Sequence, residues 1–195
     1  MNIIVAITGS SGSIYAKLLL GELHRFQSEG QVQQIAVVFS EKAKEVWKHE
    51  LTSELPYQIN NRKSTIVNEK IFSNDDFTAS FASGSSLFDI MIICPCSMGT
   101  MARIANGLSD TLIARAADVM LKERRRLILA LRETPINLIH IINMQKLAQA
   151  GAIIAPASPS FYSHPASIEE LAMTVVDKLT QLAGLKKEIY RWGTL

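Results

Sequence analysis

The chain has 195 residues, of which 48% are hydrophobic and 19% are charged, and its formal net charge is +2. This length suits one domain around one large core, so we expect residues 1–195 to form a single α/β domain. The charge is too small for the basic footprint of a nucleic-acid-binding protein, and no apolar run is long enough for a membrane span.

Met1 leads into a strand without the basic region that opens a secretory signal. Cys94 and Cys96 are one residue apart, a spacing that would strain a disulfide, and two thiols alone make a poor metal site. We therefore expect two reduced thiols in a cytoplasmic protein. No cluster of His, Cys and carboxylates has the spacing of metal ligands, so no metal is expected.

Strand and helix patterns alternate along the chain. The strands, near-continuous runs of Val, Ile and Leu, are predicted at Ile3–Ile7, Gln34–Phe39, Phe88–Cys94, Arg126–Leu131 and Ala152–Ala155, with a short one near Lys70–Phe72. Helices are predicted at Ile14–Gln27, Glu41–His49, Gly99–Ala105, Thr111–Glu123, Ile136–Gln149 and Ser167–Leu182. Such strands are typical of parallel sheets, so the pattern predicts a doubly wound, mostly parallel α/β sheet with helices on both faces.

The first strand runs directly into a hydroxyl-rich turn, Gly9-Ser10-Ser11-Gly12. At the carboxyl end of a strand such a turn presents N–H groups and the positive end of a helix dipole, which favour an anion, most often a phosphate. The spacing matches neither the dinucleotide fingerprint nor the P-loop. A plain strand–turn–helix joint without a ligand is the alternative.

Three further loops follow predicted strands, beginning at Ser40, Pro95 and Arg132. In this architecture ligands bind at the carboxyl ends of the strands. Arg132 suits a phosphate and Glu133 suits acid–base chemistry. The alternative for this pair is a structural ion pair that caps the helix starting near Pro135.

Charged and hydroxyl-bearing side chains recur later in the chain. Arg115 and Lys122 are seven residues apart and share one face of a predicted helix, and Asp118 is placed to pair with Arg115. A solvated charged stripe is the alternative. The Tyr162 hydroxyl is placed either to reach a phosphate or simply to pack.

Short motifs occur in a fixed order along essentially the whole chain. They are Thr8–Gly12, Ala82–Ser85, Cys94–Thr100, Arg115–Arg124, Arg132–Pro135, His140, Asn143-Met144, Pro159–Tyr162 and Arg191–Gly193. Each motif alone is weak. In this order they resemble the UbiX-type flavin prenyltransferases, a branch of the flavin-binding family that also holds cysteine decarboxylases.

The resemblance implies a Rossmann-like fold of the flavoprotein type and a specific reaction. Enzymes of this family join a dimethylallyl group, from dimethylallyl monophosphate, to N5 and C6 of reduced FMN without a metal. The product, prenylated FMN, is the cofactor of UbiD-type decarboxylases, which are therefore the expected recipients. The family also implies a homo-oligomer, expected to be a dodecamer, with active sites at subunit interfaces. The helix around His140 and the loop around Ser85 are the expected contact surfaces.

The resemblance also implies roles for individual residues. FMN would be held by Gly9, Ser10, Ser11, Ser40, Ser97, Met98, Gly99, Thr100 and Arg132. The prenyl donor would be bound by Arg115, Lys122, Tyr162, Lys178, Ala82, Ser83, Gly84 and Trp192. Glu133 would relay protons near the donor phosphate, and Glu50 with Ser11 would act near the flavin. Ser11, Ser97, Lys122 and Glu133 should then gather at one rim once neighbouring protomers are included.

Some positions depart from the family pattern. Glu41 stands where the family usually has Lys, and Lys178, where Arg is common, keeps the charge but loses the forked geometry. Two other functions stay open, a non-catalytic FMN-binding subunit that carries the cofactor to a decarboxylase and an FMN-dependent cysteine decarboxylase. The sequence does not favour the cysteine decarboxylase, because the loop at residues 95–100 reads Pro-Cys-Ser-Met-Gly-Thr and no histidine that matches the catalytic one lies near the first helices.

Overall fold

The computed structural model describes residues 1–51, 69–188 and 193. Trp192, expected to wall the prenyl pocket, lies outside the described residues. The strands are β1 Asn2–Ile7, β2 Gln34–Phe39, β3 Glu69–Ser73, β4 Ile90–Cys96, β5 Arg126–Leu131 and β6 Ile153–Pro156. The helices are α1 Ser13–Ser28, α2 Glu41–Leu51, α3 Met98–Ala105, α4 Leu112–Lys122, α5 Leu138–Gln149 and α6 Ile168–Leu182, with a 3₁₀ turn at Ser80–Ala82.

The six strands form one sheet in the order β3-β2-β1-β4-β5-β6, and every neighbouring pair is parallel. This is the Rossmann-like strand order, so the predicted doubly wound α/β fold is confirmed. The short strand predicted near Lys70–Phe72 is β3, at one edge of the sheet. Because all the strands are parallel, the loops that follow them open at one common edge.

Both faces of the sheet are buried, which explains the continuous apolar runs. On β1, Ile3 and Val5 pack into the layer that contains α1, α2 and α6, whereas Ile4 and Ala6 pack into the layer that contains α3, α4 and α5. Successive side chains of a strand point to opposite faces, so a strand covered by helices on both sides needs apolar residues throughout. None of the helices in residues 1–51 and 69–188 combines the length and apolarity that crossing a membrane requires.

Some helices and strands do not begin at the predicted residue. Either a polar residue caps the helix, or the strand begins further along the chain than the apolar run. The α5 helix begins at Leu138 rather than at Ile136, because the Asn137 side chain accepts a hydrogen bond from the His140 N–H and ends the preceding loop. The β4 strand begins at Ile90 rather than at Phe88. The Phe88 ring instead packs edge-on against Phe81, 5.4 Å away between ring centroids.

The α1 and α6 helices are joined by a charged cluster on Lys187. Its Nζ lies 2.8 Å from a carboxylate oxygen of Glu22 on α1 and 2.7 Å from one of Asp177 on α6. Partial burial opposes charge on Lys187, but its hydrogen bonds to Asp177 and Glu22 outweigh burial and raise its pKa. The cluster therefore fastens the segment after α6 to the first helix.

We expect Lys187→Met to lower the free energy of unfolding by about 1–2 kcal/mol, because it leaves two partly buried carboxylates without their shared cation. Lys42→Met is the matched control, since the Lys42–Glu45 pair is 76% and 65% exposed and should contribute little. Urea unfolding of both variants at neutral pH measures the difference. Equal losses for the two variants would contradict a special role for Lys187.

Candidate functional site

Thr8, the residue after β1, holds together the two central loops at the carboxyl edge of the sheet. Its N–H and its hydroxyl both donate to the Pro95 carbonyl, at 3.2 and 2.8 Å, and the Ser97 N–H donates to the same hydroxyl at 2.8 Å. Thr8 is 1% exposed. It was not among the predicted binding residues, although a hydroxyl that directly follows a buried strand was the signal that could have identified it.

The predicted flavin-binding loops lie along this edge. The Ser10 hydroxyl donates to the Arg132 carbonyl at 2.8 Å and so joins the β1–α1 and β5–α5 loops. The Ser97 hydroxyl accepts from the Thr100 N–H at 3.3 Å and caps α3. The structure thus brings to one rim a set of loop residues and the cap and first turn of α3, namely Gly9, Ser10, Ser11 and Arg132 with Ser97, Met98, Gly99 and Thr100. We call this the carboxyl rim.

The α2 helix closes the carboxyl rim on the β2 side. The Ser40 hydroxyl accepts from the Ala43 N–H at 3.1 Å at the start of the helix. A Cβ added to Gly9 would lie 2.6 Å from the Lys42 Cβ, so only glycine lets the first loop approach α2 this closely. Glu41, one of the departures from the family pattern, pairs with Lys44 at 2.5 Å.

The end of α2 supplies an anion to the N-terminus of α1. Glu50 carboxylate oxygens accept from the Gly12 N–H at 3.0 Å and the Ser13 N–H at 2.7 Å. Partial burial favours the neutral acid, but hydrogen bonds from the Ser11 hydroxyl and these two amides outweigh it and lower the Glu50 pKa. The sequence predicted an anion at this turn, most often a phosphate. In this structure the Gly12 and Ser13 N–H groups bind the protein's own carboxylate.

Arg132 and Glu133 extend the carboxyl rim at the end of β5. Both residues are exposed. The Glu133 carboxylate accepts from the Thr134 N–H at 3.1 Å. No ion pair joins Arg132 to Glu133 in this described loop, so the structural pair considered as an alternative is not formed. Tyr162 lies in the loop between β6 and α6 and is 62% exposed.

A second cluster gathers around the loop Ala82–Gly84, along α4 from Arg115 to its C-terminal end. The Arg115 Nε donates to the Ala82 carbonyl at 3.0 Å, and its Nη1 pairs with Asp118 at 3.1 Å, as predicted from their spacing. The Lys122 Nζ lies 2.8 Å from a Glu123 carboxylate oxygen. That hydrogen bond lowers the pKa of Glu123. We call these residues the α4 cluster.

One chain does not bring Lys122 to the carboxyl rim. The N–H of Leu112, the first residue of α4, donates to the Asn74 carbonyl just beyond the carboxyl end of β3, and the helix then runs back toward Arg126, where β5 begins. Residues at the two ends of β5 are separated by about 17 Å, at roughly 3.3 Å per residue. Lys178 lies in α6, in the opposite helical layer, where its Nζ donates to Gln181.

The two cysteines are free and fully buried. Burial raises the pKa of Cys94 to about 12 and also raises that of Cys96. Thiols in this state are not nucleophiles at neutral pH. Across residues 1–51 and 69–188, no group of three or more His, Cys, Asp or Glu side chains is arranged to hold a metal ion.

A parallel sheet with hydroxyl-lined loops and a guanidinium at its carboxyl edge defines a Rossmann-like protein for a phosphate-bearing nucleotide. The model of the Flavoprotein family matches residues 1–183. The flavin prenyltransferase UbiX of Methanocaldococcus jannaschii is 41% identical over 196 residues, which cover 100% of both chains.

Solved structures agree with this relationship. AnUbiX (PadA1), in complex with FMN and dimethylallyl pyrophosphate, has a TM-score of 0.84 and 36% identity over 98% of each chain. A dodecameric FMN-dependent UbiX-like decarboxylase from Escherichia coli O157:H7 has a TM-score of 0.87 and 35% identity over 100% of each chain. The chain therefore belongs to the Flavoprotein family, in its UbiX-type flavin prenyltransferase branch.

The cysteine decarboxylase branch is more distant. The FMN-dependent cysteine decarboxylase TvaF has a TM-score of 0.57 and 15% identity over 91% of this chain. A likeness at this identity establishes a common fold and nothing about the reaction.

We expect Glu50→Gln to lower the free energy of unfolding at pH 7 by about 1 kcal/mol, because the neutral amide is a weaker acceptor at a helix N-terminus and solvent screens part of the difference. The folded pKa of Glu50 lies below its ordinary value of 4.5. Its stabilising contribution is therefore complete above that value and is lost as pH falls through the folded pKa.

Urea unfolding of wild type and Glu50→Gln at pH 7 and near pH 3 measures this contribution. The difference between the two proteins should be largest at pH 7 and should shrink at the lower pH. A difference that stays constant across this range would show that the carboxylate charge does not matter there.

Proposed function

We propose that the chain is a flavin prenyltransferase that joins a dimethylallyl group to N5 and C6 of reduced FMN. The observation that carries the proposal is the pairing of two sites in a chain that is 41% identical, end to end, to a flavin prenyltransferase. One site is the hydroxyl- and amide-lined carboxyl rim, and the other is the α4 cluster, whose cations are Arg115 and Lys122. The first suits a flavin nucleotide and the second suits the phosphate of a prenyl donor.

The carboxyl rim has the chemistry to hold FMN. Gly9 lets the first loop lie close against Lys42 of α2, and the Ser97 N–H donates to the hydroxyl of Thr8, the residue before it. The serine and threonine hydroxyls offer donors and acceptors, and the Arg132 guanidinium offers a forked donor for a phosphate. In the proposal Gly9, Ser10, Ser11, Ser40, Ser97, Met98, Gly99, Thr100 and Arg132 would bind FMN.

The α4 cluster has two cationic groups, each now paired with a carboxylate, and in the proposal the donor phosphate becomes a further partner of both. Arg115 and Lys122 supply cations beside Ala82, Ser83 and Gly84. We propose that Tyr162 and Lys178 also contribute to the phosphate site and that Trp192 walls the prenyl pocket. Dimethylallyl monophosphate is the proposed donor.

The proposed reaction breaks the allylic C–O bond, and the phosphate leaves with the electron pair. The cations of the α4 cluster would stabilise this developing anion. Reduced FMN would attack the allylic carbon through N5, and protonation of the double bond left in the attached group would then make its tertiary carbon electrophilic for the bond to C6. The protons lost from N5 and C6 equal the two gained by the phosphate and by the double bond. Glu133 would donate a proton to the departing phosphate, and Glu50, a carboxylate at neutral pH whose pKa is lowered further, would accept the C6 proton through the Ser11 hydroxyl.

We propose that the complete site forms between copies of the chain, in a homo-dodecamer. The carboxyl rim and the α4 cluster lie at different edges of one sheet, so a neighbour must supply one of them. The α5 helix and the loop before it expose Ile136, Leu138, Ile139, Ile141 and Ile142 to between 42% and 69%. Apolar exposure on this scale is typical of a protein–protein interface. His140, around which the family resemblance implies a contact surface, lies in this helix.

The proposal also includes the domain organisation, the cellular compartment and the recipient of the product. Residues 1–195 would form one domain. Two free, buried thiols suit the reducing cytoplasm. A UbiD-type decarboxylase is the proposed recipient of the prenylated FMN.

Anaerobic incubation of the protein with reduced FMN and dimethylallyl monophosphate tests the reaction. We expect a flavin product heavier than FMN by one dimethylallyl group, detected by mass spectrometry, with release of inorganic phosphate. Parallel reactions with dimethylallyl pyrophosphate test the choice of donor. Tight binding of FMN without product from either donor would replace this proposal with the cofactor-carrier function.

We expect Glu133→Gln to slow product formation by about a hundredfold or more, because the amide cannot deliver a proton to the leaving phosphate. Its affinity for FMN, measured by flavin fluorescence, should stay within about twofold of wild type. Glu29→Gln, a similar change at the far end of α1, is the control. Unchanged turnover in Glu133→Gln would refute the proton-relay role.

A further inference from the structure

Arg125, which the proposed reaction does not use, is directed by the way α4 ends. Arg124 has a left-handed backbone with φ of 53°. The Arg124 N–H donates to the Leu121 carbonyl at 3.1 Å, and the Arg125 N–H donates to the Met120 carbonyl at 2.8 Å. These two bonds are the Schellman pattern that terminates a helix and reverses the chain. Arg125 is thereby turned back along the side of α4.

The Arg125 guanidinium reaches the Ala82–Gly84 loop. Its Nη2 donates to the Gly84 carbonyl at 2.7 Å, while the Arg115 Nε donates to the Ala82 carbonyl at 3.0 Å. Two guanidiniums therefore hold two carbonyls that are two residues apart. Hydrogen bonds from a charged donor are stronger than those between neutral groups, so this loop is held more firmly than turn hydrogen bonds alone would hold it.

The loop held by Arg125 lies directly against Lys122. A Cβ added to Gly84 would lie 2.8 Å from the Lys122 Nζ and 2.2 Å from a Glu123 carboxylate oxygen. The position of the Gly84 backbone thus decides how close the loop comes to the ammonium group. Because a peptide group is planar and trans, fixing the Gly84 carbonyl also fixes the direction of the Ser85 N–H.

The second terminal nitrogen of Arg125 makes no hydrogen bond of its own within the described part of the chain. Arg125 Nη1 is buried and meets no hydrogen-bond acceptor among residues 1–51 and 69–188. A buried donor without an acceptor is costly, and an apolar side chain of similar length would avoid the cost. Of the two terminal nitrogens, Nη2 therefore carries the hydrogen bond to the loop.

We propose that Arg125 is a positioning residue for the prenyl donor, which fixes the Ala82–Gly84 loop against Lys122 so that both meet the donor phosphate in one geometry. The inference rests on the proposed function, because that function places the donor phosphate at the α4 cluster. Arg125 itself does not touch the donor. Its effect passes through the Gly84 carbonyl.

The variant Arg125→Met removes the guanidinium and keeps most of the side-chain length. We expect its KM for dimethylallyl monophosphate to rise about tenfold, the size of one charge-assisted hydrogen bond. The kcat and the affinity for FMN should stay within about twofold of wild type. Arg125→Lys, which keeps the charge and can still donate to Gly84, should recover part of the loss.

Arg124→Gly is the matched control. It removes the same charge from the same run of arginines and places glycine where φ is already positive, so the turn is kept. Its KM should stay close to that of wild type. An equal rise in KM for Arg124→Gly and Arg125→Met would assign the effect to general charge and overturn the proposal.

Hydrogen exchange of the amides over residues 82–86 measures the loop independently of the reaction. We expect faster exchange in Arg125→Met than in wild type and no change in Arg124→Gly. If wild type forms no prenylated flavin but the loop amides still exchange faster in Arg125→Met, the proposed function has failed, and the Arg125–Gly84 hydrogen bond has a structural role only. If wild type is active and Arg125→Met has a normal KM, the positioning role has failed.

Discussion

The hydroxyl of Thr8 is the contact on which the carboxyl rim depends. Pro95 lies within β4 and offers a carbonyl but no N–H to a neighbouring strand. Thr8 donates both its N–H and its hydroxyl to that carbonyl, and the same hydroxyl accepts from the Ser97 N–H. The two central loops are therefore joined through one buried side chain, where a valine would leave the Pro95 and Ser97 groups with fewer partners.

The remaining loops take their positions from this central joint. Ser10, two residues beyond Thr8, donates to the Arg132 carbonyl, and Ser97 continues into the cap of α3. A set of small hydroxyl residues at successive strand ends thus acts as one bonded rim rather than as separate turns. A flavin nucleotide that touches several of these loops would meet a surface that is already in place, which lowers the entropic cost of binding.

The sheet was predictable because the continuous apolar runs of β1, β2, β4 and β5 have few interpretations other than strands buried on both faces. The starts of the helices were less predictable, because Asn137 and Ser167 cap them. The apolar pattern alone does not show whether such a polar residue is the first of the helix or the last of the loop. These errors are of one or two residues and do not alter the layers.

The site was only partly predictable, because the decisive contacts join residues that are distant in sequence. The turn before α1 indicates an anion, but its carboxylate partner, Glu50, lies 37 residues away from Ser13 at the end of another helix. Likewise, three consecutive arginines end α4, and only the left-handed turn at Arg124 selects Arg125 to reach Gly84. Local patterns report residue chemistry well, whereas these pairings depend on how the helices cross.

Gly84 has a consequence for how this chain can change. The space beside its backbone is filled by the ends of Lys122 and Glu123, which are flexible side chains, so a methyl group there would displace those two charged ends and leave the loop backbone in place. Alanine at this position therefore alters the placement of an ammonium and a carboxylate rather than the fold. Random mutagenesis that scores only whether the protein folds would pass over this position, while a selection for growth that depends on the product would detect it.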